Sequence, residues 1–367
     1  MVRLSDIAAE LGVSTATVSN ALTGKGRMKE EKRRQIREIA LSMGYELPSP
    51  RPCRNDQIIV ITEAVEVTFT AEILCGVSAA AREAETACAV YDLGILKSGL
   101  NLEAKPAQLR PMIERCLAHH PVPPSCVVYI AQYPRPLPGL LAGLNVPCVE
   151  VYCCDTGAQA TVLYDDQQGA YLAVSRLIAG GRKSIAMLSG PVDSSSVSER
   201  MVGYQRALID HGLAFHPRLV WIGDWSAESG RALSRSLLSG TNRPDAIFAQ
   251  NDMMAFGALR AAQDLHLCVP EDVAVIGFDN DDFCRCSFPS LTSVNPPLQE
   301  MGRKAFALAH RLAVGQTPEE TVYRLPCALV TRDSTGGENG THNQNETEEK
   351  TCEANTMPET GAACTND

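Results

Sequence analysis

Nothing in this 367-residue chain is long and apolar enough to cross a bilayer, which takes about 20 consecutive apolar residues as a helix. The opening residues, Met1 to Ala8, hold neither the apolar centre of a signal peptide nor a small-residue cleavage site, so the expected location is the cytoplasm. The 14 cysteines form no CxxC pair and no cysteine–histidine zinc spacing; Cys153 and Cys154 are adjacent, and Cys284 and Cys286 are one residue apart. The expectation is reduced thiols, many of them buried as small hydrophobes, with no metal and no cofactor. A glycine-rich phosphate loop and a nucleophile elbow are missing too, Gly24-Lys25-Gly26 being too short to cradle a phosphate. These absences argue against an enzyme. Internal repeats and a membrane-binding amphipathic stretch are also lacking.

What is there begins with size. A composition of 45% hydrophobic and 21% charged residues suits a globular chain with a sizeable core. The length exceeds one ordinary domain, so a small module joined to a two-lobed core is expected. The net charge of −10 would disfavour a nucleic-acid partner if it were evenly spread, and it is not. Lys25, Arg27, Lys29, Lys32, Arg33, Arg34, Arg37 and Arg51 crowd the beginning, whereas Glu346, Glu348, Glu349, Glu353 and Glu359 crowd the end.

Three short helices are legible in residues 1–47. Leu4, Ile7, Ala8 and Leu11 share one face of the first. Gly12-Val13-Ser14 then reads as a tight turn, with Ser14 capping a second helix near 15–22 that buries Val18, Ala21 and Leu22. A third, near 30–43, spaces Ile36, Ile39, Ala40 and Met43 helically and stops at Gly44. A helix, tight turn and second helix is the geometry that places the second helix in the major groove of double-stranded DNA. Ser14, Thr15, Ala16, Thr17, Ser19, Asn20 and Thr23 are the candidates for the DNA-facing side. Asn pairs with an adenine edge, and Ala or a Thr methyl meets thymine. Arg27, Lys29 and Lys32 would approach phosphates, giving position rather than sequence information.

Residues 48–57, with Pro48, Pro50 and Pro52, read as an extended linker. From 58 to 333, apolar strands alternate with amphipathic helices, with strands expected near 58–62, 87–92, 126–130, 147–151, 184–188, 219–222, 246–249 and 273–277. That alternation predicts an α/β core of two doubly wound parallel-sheet lobes, divided near 162, with the chain returning to the first lobe near 291. Residues 334–367, rich in Gly, Asn, Thr and Glu, read as a disordered acidic tail without the leucine heptads of a tetramerising coiled coil.

The segment from Leu4 to Thr23, and above all Gly12-Val13-Ser14-Thr15-Ala16-Thr17-Val18-Ser19, closely resembles the lactose/galactose repressor family. The resemblance continues through Met43-Gly44-Tyr45, Leu188-Ser189-Gly190, Arg200-Met201-Val202-Gly203-Tyr204, Asp224-Trp225-Ser226, residues 249–255 and residues 273–279, covering the chain to about Asp333. It implies a core like that of periplasmic sugar-binding proteins and a homodimer that grips an operator. It also implies a small effector, a sugar by the Trp225 motif, held between the lobes and shifting DNA affinity by population shift. By that resemblance Arg200, Asn251 and Asp279 are expected polar contacts and Trp225 a stacking wall. Ser196 and Asp155 are further candidates, and Phe69 a wall from the first lobe. Asp252 is expected to cap a helix starting at Met253, and Asp281 and Asp282 to be solvated loop charge.

Two departures stand out. Pro50 and Pro52 occupy the place of the family's hinge helix, with Arg54 near the position of its minor-groove leucine, and Arg3 replaces the usual threonine cap. The altered linker keeps open an effector-free or partner-controlled regulator. A transport binding protein and a sugar or nucleoside enzyme on the same core are weaker alternatives.

Overall fold

The computed structural model describes residues 4–23, 30–43, 45, 58–97 and 104–336. Helices α1 (Leu4–Leu11), α2 (Thr15–Thr23) and α3 (Glu30–Ser42) pack through Ile7, Val18, Ala21, Ile36 and Ala40. Gly12 joins α1 to α2 with a φ of +61°, a conformation that costs other residues more. The expected linker at 48–57 lies outside the described residues.

The core holds two six-stranded sheets. The first runs β2 (Cys88–Asp92), β1 (Ile58–Thr62), β3 (Cys126–Ile130), β4 (Cys148–Val151), β5 (Ala160–Tyr164) and β11 (Val322–Leu325), all parallel. Ile58-Ile59-Val60-Ile61-Thr62 is buried throughout, as a strand covered on both faces must be. Helices α4 (Thr68–Glu83) and α10 (Leu298–Ala313) share one face, and α5 (Pro106–His119) packs with a separate cluster that includes Ile59, Ile61 and Val127.

The second sheet runs β7 (Val220–Ile222), β6 (Ile185–Ser189), β8 (Ala246–Ala249), β9 (Ala274–Phe278), β10 (Thr292–Asn295) and β12 (Ala328–Val330). Its last strand is antiparallel, so this lobe departs from the purely parallel expectation at one edge. Helices α6 (Asp166–Ala179) and α7 (Ser195–Asp210) pack together, as do α8 (Ala227–Leu238) and α9 (Asp252–Asp264).

Three boundaries differ from the sequence expectation. Val162 sits inside β5, and the first crossing between lobes falls at Asp165, before α6. The return comes at Pro296 and Pro297 rather than near 291, because Thr292–Asn295 still pairs in the second sheet. A third crossing links β11 to β12. The expected tail does not begin at 334: Ser334 is fully buried, its hydroxyl donating to Val275 O (2.6 Å) and accepting from Thr292 N (2.9 Å). Residues 337–367 lie outside the described residues.

Candidate functional site

Two surfaces answer to the sequence reading. Just before α2, Ser14 Oγ accepts from Thr17 N (3.1 Å) and bonds Thr17 Oγ1 (2.8 Å), which satisfies an amide of the helix's first turn. Ser14, Thr15, Ala16 and Asn20 are exposed, as is Lys32 on α3; Thr17 and Ser19 are half-buried. Thr17 therefore contributes to the cap as well as to the face. The Thr23 side chain, Arg27, Lys29, Lys25, Arg3 and Arg54 lie outside the described residues.

The second surface is a cleft of about 460 Å³ between the lobes, at the carboxyl ends of both sets of strands. It brings together Phe69, Ser196, Arg200, Trp225, Asn251 and Asp279, six of the seven expected residues. Asp155 is the exception. It is an exposed loop residue with a φ of +64° and does not line the cleft, because its place after β4 turns it toward solvent.

Arg200 is only 3% exposed and its guanidinium is already committed. Nε donates to Asp166 Oδ1 (2.7 Å), Nη2 to Tyr164 Oη (2.9 Å), Nη1 to Gln250 O, and Asp279 Oδ1 lies 3.9 Å away. The Phe278 ring centre sits 3.6 Å below the guanidinium, a cation–π contact. Burial would pull the Arg200 pKa down, yet Tyr164, Asp166 and Asp279 hold it above the ordinary value. Burial pushes Asp166 and Asp279 upward against the pull of Arg200. Arg200 is thus first a keystone of the cleft floor. It lines the cleft as expected, with most of its donors already engaged.

Asn251 has a similar double duty. Its Oδ1 accepts from Met254 N (2.9 Å), capping α9, and its Nδ2 donates to Trp225 O (3.0 Å). Asn251 is therefore the cap, not Asp252. Asp252 is fully buried, accepting from Ser293 Oγ (2.6 Å), Asp281 N (2.8 Å) and Cys284 Sγ (3.1 Å). Asp281 is half-buried and tied to that network through its backbone, so the expectation of a wholly solvated loop fails there.

Trp225 leans on Gly190: a Cβ there would meet indole carbons at 2.1 to 2.4 Å. Gly190→Ala should displace the ring, costing about 1–3 kcal/mol by overpacking. A drop in unfolding midpoint together with a shift of indole emission is the expected readout; an unchanged emission spectrum would show that the ring does not depend on this contact. Tyr152, Trp225 and Asp279 all have positive φ, at 64°, 72° and 112°, and all line the cleft. Such backbone strain gathers where side chains must be aimed.

The first-lobe wall is Gln132, Tyr133 and Pro134 after β3, with Phe69 stacked on Tyr152 (5.6 Å between centroids). A fully buried Glu63 holds this loop. It accepts from Arg135 Nη2 (2.7 Å) and Nη1 (3.0 Å), Tyr129 Oη (2.5 Å) and Gln132 N (2.8 Å). Across the cleft, Ser195 Oγ donates to Pro134 O (2.9 Å). Asp193 and Asp224 add carboxylates, and two hydrogen bonds from Ser226 hold Asp224 below the usual carboxylate range. Apart from Phe69, the sequence reading missed these wall residues. Tyr152 follows β4 directly and Gln132 lies two residues beyond β3, which is the signal that could have found them.

Among the described residues no group of three histidine, cysteine or acidic side chains could hold a metal ion. No helix among them is long and apolar enough to cross a membrane.

Comparison with known proteins bears on both surfaces. Residues 3–48 match the family described as bacterial regulatory proteins of the lacI family, and residues 174–335 match a periplasmic binding protein-like domain. The HTH-type transcriptional repressor PurR of Erwinia tasmaniensis is 29% identical over 350 residues, covering 92% of this chain and 98% of that one. A transcriptional regulator CelR–cellobiose complex superposes with a TM-score of 0.62 at 29% identity, over 91% of this chain and all of that one. A lac repressor dimer bound to operator and an anti-inducer shares the fold, with a TM-score of 0.64 at 24% identity over 91% of this chain and 99% of that one.

Proposed function

This chain belongs to the lactose/galactose repressor family of DNA-binding transcriptional regulators, and from that premise we propose that it is a cytoplasmic repressor released from, or driven onto, its operator by a sugar. It binds DNA through α2 and is controlled by a small effector in the core. The observation that carries the sugar reading is the cleft itself. An indole wall at Trp225 faces a space rimmed by Asp193, Asp224 and Asp279, which accept hydrogen bonds from hydroxyl donors. The CelR-like neighbour, whose complex contains cellobiose, supports a carbohydrate. A cleft of this size with strained, aimed side chains also supports an effector-responsive protein over an effector-free one.

As a homodimer, the protein would present two copies of α2 to half-sites about one helical turn apart. The named relatives are repressors, and the role proposed here is likewise regulatory rather than catalytic.

Selection of bound duplexes from a random pool tests the DNA half of this reading. The expected product is a near-palindrome whose recovery falls as salt rises. Asn20→Ala should relax one base pair in each half-site, at about 1–3 kcal/mol, since Asn20 is exposed on α2. A pool that stays random after several rounds would sink the reading.

A further inference from the structure

Helix α7 turns two working faces to its surroundings. Ser196 and Arg200, a turn apart, line the cleft, whereas Ser195 and Glu199, also a turn apart, reach the first lobe. Ser195 Oγ donates to Pro134 O (2.9 Å), and Glu199 lies 3.6 Å from Arg324 on β11. These two side chains line a separate chamber of about 90 Å³, which shares Pro134 and Tyr152 with the cleft. We propose that Ser195 is a latch: its bond to Pro134 holds the lobes together before any effector binds, and so sets the share of molecules whose cleft is closed. Ser195 is thus a positioning residue and does not itself line the cleft.

Leverage is the first argument. Arg200 Nη2 bonds Tyr164 Oη, and Arg324 pairs in register with Leu163, so both of those ties lie beside the first crossing at Asp165. Pro134 lies beyond β3, two strands further across the sheet from β5. At about 4.8 Å per strand that is about 10 Å from the pivot. An opening of about 10° would part Ser195 from Pro134 by about 2 Å, beyond hydrogen-bond reach. The ties near the pivot would scarcely change.

Rigidity of the acceptor is the second. Arg135, next along the chain, is clamped by Glu63 at 2.7 and 3.0 Å. Cys154 N donates to Arg135 O (3.3 Å) and Leu137 N donates to Cys154 O (2.9 Å). Pro134 and Pro136 fix φ on either side of Arg135. The Pro134 carbonyl therefore stays at one height, and the second lobe must bring the hydroxyl to it.

The third is what the hydroxyl does not do. Ser195 opens α7, and Ser194 before it makes no side-chain cap bond. The Ser195 hydroxyl is spent on the other lobe rather than on starting its own helix. A neutral hydrogen bond of this kind shifts an equilibrium by about threefold to tenfold. That is enough to tilt two lobe arrangements of similar energy, and too little to lock them against an effector.

Acrylamide quenching of Trp225 tests this in the full chain, with Trp221→Phe in every sample so that one indole remains. Trp225 lines the cleft, so opening admits the quencher. Ser195→Ala should raise the quenching constant at least about twofold. Ser195→Thr keeps the hydroxyl and should match the parent. Ser195→Asp sets a carboxylate against the Pro134 carbonyl and should raise quenching beyond the alanine variant. An aspartate in the first turn favours the helix itself, so a residue that merely started α7 would give the opposite order. Equal quenching in all four proteins, or less with Asp than with Ala, overturns the latch. So does a fall of more than about 5 °C in the alanine variant's unfolding midpoint, because the quencher would then be entering a loosened lobe. Neither ligand nor DNA enters the test, so its outcome is independent of what the cleft binds.

Discussion

Replacing Arg200 by alanine should cost the core about 3–5 kcal/mol, the usual penalty for leaving a buried charge without its partner. The variant strands two carboxylates, Asp166 and Asp279, and removes the cation above the Phe278 ring. For a core of this size the unfolding midpoint should fall by about 10 °C. Arg200→Lys should recover only part of the loss, since one ammonium cannot reach Asp166, Tyr164 Oη and Gln250 O in their three directions.

The deficit should also depend on pH. Burial already pushes both carboxyls upward, and Arg200 opposes that push. Without Arg200 their folded-state values rise further, so the penalty for ionising them grows with pH. Arg200→Ala should therefore trail the parent protein more at pH 8 than at pH 5. A variant that melts within 2 °C of the parent, but ignores its effector, would return Arg200 to the role of a simple ligand contact.

Core stability should fall between pH 5 and pH 8, and Asp252 should carry much of that fall. Among the described residues no arginine or lysine pairs with this fully buried carboxyl; burial pushes its pKa to about 7, against hydrogen bonds from Ser293, Cys284 and the Asp281 amide. The folded value lies above the unfolded one near 3.9, so folding takes up a proton between the two. The stabilising contribution is fully present below the unfolded value and is lost as pH rises through about 7. Across this window it is on the order of 2 kcal/mol. Asp166 and Asp279 shift the same way and add to the slope. Asp252→Asn cannot titrate, so urea unfolding from pH 5 to pH 8 should give a flatter curve for the variant. Parallel curves for the two proteins would mean that Asp252 is not the group responsible.

Much of this architecture was legible before any coordinates. Continuous apolar runs such as Ile58–Thr62 and Cys126–Ile130 announce strands covered on both faces, and they stand where expected. Of the strands left unseen, Ala160–Tyr164 is apolar and lies where the lobes were expected to divide, and the others are short or polar. Thr292–Asn295 carries two hydroxyls and an amide, and Val322–Leu325 is an edge strand whose exposed and half-buried positions alternate. Neither makes a run that stands out from a loop.

The cleft was legible as a set of strand ends, and six of the seven expected residues reach it. What strand ends do not disclose is whether a side chain is free. Asn251 spends its amide on a helix cap and on Trp225 O, and Arg200 spends its guanidinium on the floor. The pairing of Glu63 with Arg135, 72 residues apart, is invisible locally because each reads as ordinary surface charge.

The threefold crossing between the lobes has a consequence for synthesis. A chain leaving the ribosome folds what it has, N-terminal parts first. The head packs on its own cluster of Ile7, Val18, Ile36 and Ala40, so its residues are all present long before the core strands have been made. Neither lobe can close so early. The first sheet waits for α10 and β11, and the second waits for β12 and for Ser334, whose hydroxyl spans Val275 and Thr292. Nascent or prematurely ended chains would thus carry a DNA-reading head with no finished effector core behind it. The segment from α10 to Ser334 acts as the fastening for everything made before it, so the protein becomes answerable to its effector only once that segment has been made.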